Sequence, residues 1–167
     1  MSKEEVMRSQ RLVFYAPDMD KIYEVLDEFM RLSGAKCALL IDKEGHLICR
    51  RGTTQTYDTE TISALAAGSF AATREMAKLL GEEEFSVLFH QGKRDSIQLA
   101  IVGDRMLLAI VFDDRTTIGM IRLYGREAAE QLSAVIAEAA KRKGQDTDVS
   151  AEYGASAKKK LDDMFKS

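Results

Sequence analysis

Few side chains in this 167-residue chain are spaced to do chemistry. Its two histidines, His46 and His90, and its two cysteines, Cys37 and Cys49, stand apart, without the close intervals of a zinc site, so no metal centre is expected. A P-loop needs backbone amides and a lysine around the phosphates, in the pattern G-x-x-x-x-G-K-[ST]. Gly92-Lys93 and the reversed pair Lys143-Gly144 lack that spacing, and no G-x-G-x-x-G occurs. Serines, cysteines and carboxylates are present, but nothing resembles an activated nucleophile with its base. Asp113, Asp114 and Arg115 fall in a strand-to-helix loop, a common place for active-site groups. Acids there also suit the positive end of the following helix, and that is the reading taken. The chain is expected to have no catalytic residue and no cofactor.

Length and composition suit one domain with tails. A net charge of −3, with bases scattered among acids, gives no footprint for nucleic acid. No run approaches the roughly 18 apolar residues of a membrane span, and "MSKEEVMRSQ" has no apolar leader core, so a cytoplasmic protein is expected. The cysteines fall in neighbouring predicted strands, where cysteine is commonly a small buried hydrophobe.

The elements that must position any surface are legible in the periodicity. "PDMDKIYEVLDEFMRLS" (17–33) places Ile22, Val25, Leu26, Phe29 and Met30 on one stripe, with Pro17 at the start and Gly34 as the stop. "KCALLID" and "HLICR" flank "KEG", which suits a hairpin whose turn ends with Gly45 in the left-handed conformation. "FSVLFHQ", "SIQLAIV" and "MLLAIVF" form a three-stranded meander, and the last, apolar on both faces, should be central. From Thr117 to about Lys141, Ile118, Ile121, Gly125, Ala128, Leu132, Val135, Ile136 and Ala139 share a helical stripe. Residues 143–157 read as a polar linker, and 158–167 as a short amphipathic turn carrying Leu161, Met164 and Phe165. The N-terminal residues 1–11 are expected to be flexible, which leaves 12–142 as the folded domain. Five mostly antiparallel strands with a helix between the two sets imply an α+β layered domain.

The central helix, "SALAAGSFAATREMAKLLG" (63–81), has two unlike faces. Its spacing puts Ile62, Leu65, Ala66, Ser69, Ala72, Thr73, Met76 and Leu80 on the expected core side. Asp58 or Thr59 is its N-cap and Gly81 ends it. The opposite side begins with Ala64, Ala67, Gly68 and Ala71, where a face meeting only water would carry charge. A glycine inside a helix costs about 1 kcal/mol relative to alanine and usually has a packing reason. Close approach of a partner is such a reason, with cover by a tail of the chain as the alternative.

"ALLIDKEGHLI", the central helix and "FHQGKRDSIQLAIVGDRMLLAIVFDDRTTIGMIRL", in that order, resemble the Roadblock (dynein light chain) family over about residues 12–142, and within it a bacterial branch that regulates a Ras-like GTPase of the MglA type in cell polarity and motility. The resemblance implies an α/β/α sandwich with strand order 2-1-5-4-3 and helices on both faces. It implies a homodimer joined through the edge strand with Phe85, Val87 and Phe89, with the two central helices side by side. A GTPase would dock over Ala64, Ala67, Gly68, Ala71 and Glu75, and Leu161, Met164 and Phe165 would form a C-terminal docking segment. Such a dimer activates the GTPase without an arginine finger, which fits the absence of any motif around Arg51, Arg94, Arg105 or Arg115; a non-activating scaffold needs the same surface. The resemblance adds placement at the cell pole.

Overall fold

The computed structural model describes the backbone of residues 14–166 and the side chains of 14–142 and 154–166. The N-terminal stretch 1–11, expected to be flexible, lies outside the described residues. The chain runs α1 (Ala16–Ser33), β1 (Cys37–Asp42), β2 (Leu47–Gly52), α2 (Thr59–Leu79), β3 (Val87–Gln91), β4 (Ser96–Val102), β5 (Met106–Phe112) and α3 (Ile118–Phe165). The strands pair antiparallel in the order β2-β1-β5-β4-β3, as expected.

The central strands explain the layers. All seven residues of β5 are buried. Met106, Leu108, Ile110 and Phe112 face one core with α1 and α3, while Leu107 and Ala109 face a second core with α2. In β1, Ala38 and Leu40 join the first core and Leu39 and Ile41 the second. A strand apolar on both faces must be covered on both, and the result is an α/β/α sandwich.

α1 begins where the Asp18 carboxylate accepts the Tyr15 amide at 3.0 Å, and ends at Gly34 with φ 70°. The α3 stripe is as read: Ile121, Ala128, Leu132, Val135, Ile136 and Ala139 are buried. The expected linker at 143–157 is corrected, because α3 continues through it to Phe165. Its glycines and hydroxyl residues lower helix propensity without breaking a helix, and it has no proline. The packed half of α3 has already met the cost of nucleation, so each further residue needs only propagation. Leu161, Met164 and Phe165 are exposed on the last turns of this one helix.

Arg142 marks where α3 leaves the domain. Its guanidinium bonds the Asp18 carboxylate, which is 3% exposed, and lies 5.4 Å from the Tyr15 ring centre. That hydrogen bond is the main cause that holds the Asp18 carboxyl below its ordinary value, with the Tyr15 amide adding to it against desolvation. A lowered folded pKa contributes stability above the unfolded value of 3.8 that is lost as pH falls through the folded one. Asp18→Asn is therefore expected to cost about 1.5 kcal/mol at neutral pH. In urea titrations the gap between the two proteins should narrow as pH drops below about 4; a gap independent of pH would remove the ion pair from this account.

Candidate functional site

The faces of α2 differ from the sequence reading. Thr59, Ser63, Ala66, Ala67, Phe70 and Ala77 are buried, whereas Leu65, expected in the core, is 68% exposed. Ala72, Met76 and Leu80 are exposed as well, and Leu79 is 88% exposed. The core side is thus rotated from the expected stripe. The physical reason is distance: alanines let the helix axis approach the sheet, Phe70 fills the remaining space, and Ser63 satisfies its hydroxyl on the Thr59 carbonyl at 2.6 Å. Larger apolar side chains are then left outside.

The candidate GTPase-docking residues separate accordingly. Ala67 packs in the core under α2 and is withdrawn from the docking set. Ala64 is exposed but meets the β1–β2 turn, where a Cβ added to Gly45 would stand 2.9 Å from the Ala64 Cα. Gly45 has φ 95°, so the turn needs glycine on both counts. Gly68, Ala71 and Glu75 are exposed, and a Cβ on Gly68 would meet nothing within 4 Å. Glu75 bonds Lys78 at 3.1 Å. At 100° per residue, Leu65, Gly68, Ala72, Met76 and Leu79 lie opposite the buried side, with Ala64, Ala71 and Glu75 on one flank. The outer face is therefore small in its middle and apolar at both ends.

β3 is one sheet edge and β2 the other. Phe85 precedes β3, Val87 is exposed, and Phe89 is half-buried and stacked on Phe112 at 5.9 Å between ring centres. The Ile101 amide donates to the Ser86 carbonyl at 3.0 Å. By the alternation of an antiparallel ladder, Ser86, Leu88 and His90 bond inward to β4, and Val87, Phe89 and Gln91 turn their backbone groups to the open edge. The β2 edge is blunted. Its register slips opposite Leu40 and Ile41, leaving Ile48 without a partner on β1, and Gly52 has φ 94°. Arg50 donates to Thr59 Oγ1 at 3.0 Å; Arg51 lies 3.9 Å from the Tyr23 ring centre and donates to Asp27 at 2.9 Å. Bulges and charge are common defences of an edge strand, and β3 has no bulge.

The polar groups singled out in the sequence are occupied structurally. Asp113 accepts from the Arg115 backbone and side chain at 3.0–3.1 Å, chiefly the side-chain bond holding its carboxyl below the ordinary value. Asp42, Glu44 and His46 come within 4.8 Å of one another, but Asp42 accepts the Glu44 and His46 amides and so builds the hairpin turn. His90 stands apart from them on β3. Cys37 and Cys49 are buried free thiols, each pushed up to about 11 by burial.

The sandwich and its strand order have counterparts among known proteins. The family model of the Roadblock/LC7 domain matches residues 21–112. The chain belongs to the Roadblock/LC7 family. Its solved relatives include MglB of Myxococcus xanthus, 40% identical with a TM-score of 0.72, the match covering 77% of this chain and 96% of that one. The gliding protein MglB of Thermus thermophilus is 36% identical with a TM-score of 0.72, covering 76% and 96%. An MglB in a tetrameric arrangement is 37% identical with a TM-score of 0.74, covering 77% and 96%. No helix among the described residues is long and apolar enough to cross a membrane.

Within this Roadblock/LC7 domain, the large members of the α2 surface were missed from sequence because the helix is apolar on two sides. The signal that could have found them is Phe70, the one aromatic residue of α2, which cannot sit outward as readily as an alanine. Phe70→Ala is expected to destabilise the fold by about 3 kcal/mol or more. Leu65→Gln should stay within about 0.5 kcal/mol in urea unfolding of the isolated protomer. The reverse ranking would restore the sequence-based assignment of the faces.

Proposed function

We propose that this protein acts as a homodimer that binds a small Ras-like GTPase of the MglA type, in the context of cell polarity and motility, and accelerates its GTP hydrolysis. The observation that carries this reading is the open outer face of α2, with Leu65, Met76 and Leu79 exposed around Gly68 and Ala71. Contiguous apolar surface of this kind marks contact sites, and the identity of 36–40% to MglB structures supports a shared partner class. In this reading the paired α2 helices of two protomers form a continuous platform, and the GTPase lies across the small residues at its centre.

The regulator supplies no reacting group. Docking favours the GTPase conformation in which its own catalytic residues are aligned, so the barrier falls through positioning. The disposition of the arginines supports this. Arg51 is held by Asp27 and Tyr23, Arg115 by Asp113, and Arg105 lies 3.8 Å from Asp104. Arg94 is exposed in the β3–β4 turn.

Single-turnover GTP hydrolysis by the cognate GTPase, with and without this protein, tests the proposal. Ala71→Arg should leave folding unchanged yet weaken GTPase binding at least about a hundredfold, through clash and a buried unpaired charge, and abolish stimulation. Trimming residues 148–167 in the same assay, which removes the second contact proposed at Leu161, Met164 and Phe165, should change affinity or turnover with the dimer intact. Normal binding by Ala71→Arg would exclude this face, and an unchanged truncation would exclude the second contact.

Alanine at Arg51, Arg94, Arg105 or Arg115 is expected to lower stimulated hydrolysis by less than about tenfold at saturating regulator, against the 10³ or more of an arginine finger. A thousandfold loss at any one of them, with binding intact, would overturn the positioning mechanism.

A further inference from the structure

The edge strand β3 carries opposite charges at its two ends, and the charges nearest the sheet are already paired. Glu82, Glu83 and Glu84 precede it, and Lys93, Arg94 and Asp95 follow it. Glu84 is bound by Arg74 at 2.9 Å and Lys43 at 3.6 Å. Asp95 is bound by Lys36 at 3.0 Å and by the Tyr57 hydroxyl at 3.1 Å. Glu82, Glu83, Lys93 and Arg94 remain, all exposed and without an ion pair among the described residues.

We infer that these four charges form a clasp with a second copy of this chain and favour the antiparallel orientation in which the two β3 edges meet. The inference rests on the reading that β3 pairs with β3 in a homodimer. Antiparallel self-pairing can place its two-fold axis at Leu88 or at Phe89, since both keep outward-bonding residues opposite one another. An axis at Leu88 sets Val87 opposite Phe89 of the partner subunit, so that the outward backbone groups of both residues are bonded. Glu82 and Glu83, in the segment that leads into β3, then lie at the same end of the strand pair as Lys93 and Arg94 of the partner subunit, which form the tip of the β3–β4 turn. By symmetry the clasp forms twice. An axis at Phe89 keeps the same ends of the two strands together. A parallel arrangement would face Glu82 and Glu83 with the same residues of the partner. Exposed pairs are individually weak, so the clasp acts mainly as a selector against parallel pairing, with acids beside bases at both ends of the antiparallel pair and acids beside acids in the parallel one.

The test uses full-length chains and the dimer dissociation constant, with circular dichroism as the check on folding. Lys93→Glu/Arg94→Glu and Glu82→Lys/Glu83→Lys should each weaken the homodimer by about tenfold or more, because every clasp becomes a like-charge contact. Mixed together, the two variants should form a heterodimer close to the unmodified affinity, since both clasps then regain opposite charges. The unmodified dimer should weaken as salt rises. A dimer whose affinity ignores both charge swaps, with no preference for the mixed pair, would overturn the clasp and leave edge pairing standing. Val87→Pro reads the pairing itself, because the N–H it removes faces the open edge. A stable monomer for the unmodified chain, or a dimer untouched by Val87→Pro and by both swaps, would overturn edge pairing and the clasp with it.

Discussion

The close seating of α2 on the sheet is the constraint on which the surface of this protein depends. Ala66, Ala67 and Ala77 allow the helix to come near, and Phe70 fills the remaining gap against Leu39, Leu99 and Leu107. Interior packing is dense, so a helix held this close leaves no room beneath it for several large side chains. The large apolar residues of the same helix, Leu65, Met76 and Leu79, are therefore displaced outward. One packing decision thus creates both a tight core and an apolar outer face. That face is what a partner can use.

The two sheet edges are unequal for reasons local to each. At β2, a bulge, a left-handed glycine and two arginines engaged with Thr59, Tyr23 and Asp27 disturb the line of free backbone groups. At β3 the register with β4 is unbroken from Val87 to Gln91. A regular edge offers a template for another strand, which is a hazard unless a specific partner takes it. The unpaired acids before β3 and bases after it are suited to making that partner specific. The neighbouring Glu84 and Asp95 serve instead to tie the flanking loops to the domain.

The other face of the sheet has a different task. α1 and α3 share one core, and the Asp18–Arg142 pair joins the start of one to the point where the other departs. Asp18 does two things there, accepting the Tyr15 amide at the helix start and the Arg142 guanidinium. The carboxylate is taken out of water but keeps partners on both oxygens, which is the condition under which a buried charge is tolerated. Beyond Arg142 α3 continues to Phe165, a length of roughly 35 Å at the usual rise per residue.

Most elements were legible in the sequence because their faces contrast strongly. The stripe Ile121 to Ala139 and the stripe Ile22 to Phe29 each oppose a charged side, so only one burial is stable. β5 reads as central from apolar residues at every position. The left-handed Gly34 and Gly45 mark turns that few other residues can make. The strand order came from the resemblance of the whole pattern to a family, since periodicity does not say which strands are neighbours. Three features were decided only by tertiary structure. α2 is apolar on two sides, and how closely it approaches the sheet selects which is buried. Ala64 is small beside Gly45, a neighbour far away in sequence. Residues 143–157 are helical although their composition resembles a linker, because a helix already anchored against the sheet extends at low cost per residue. Local pattern determines a structure where one face is plainly the apolar one; where two faces are nearly equal, or a segment inherits its start from a packed neighbour, only the assembled fold decides.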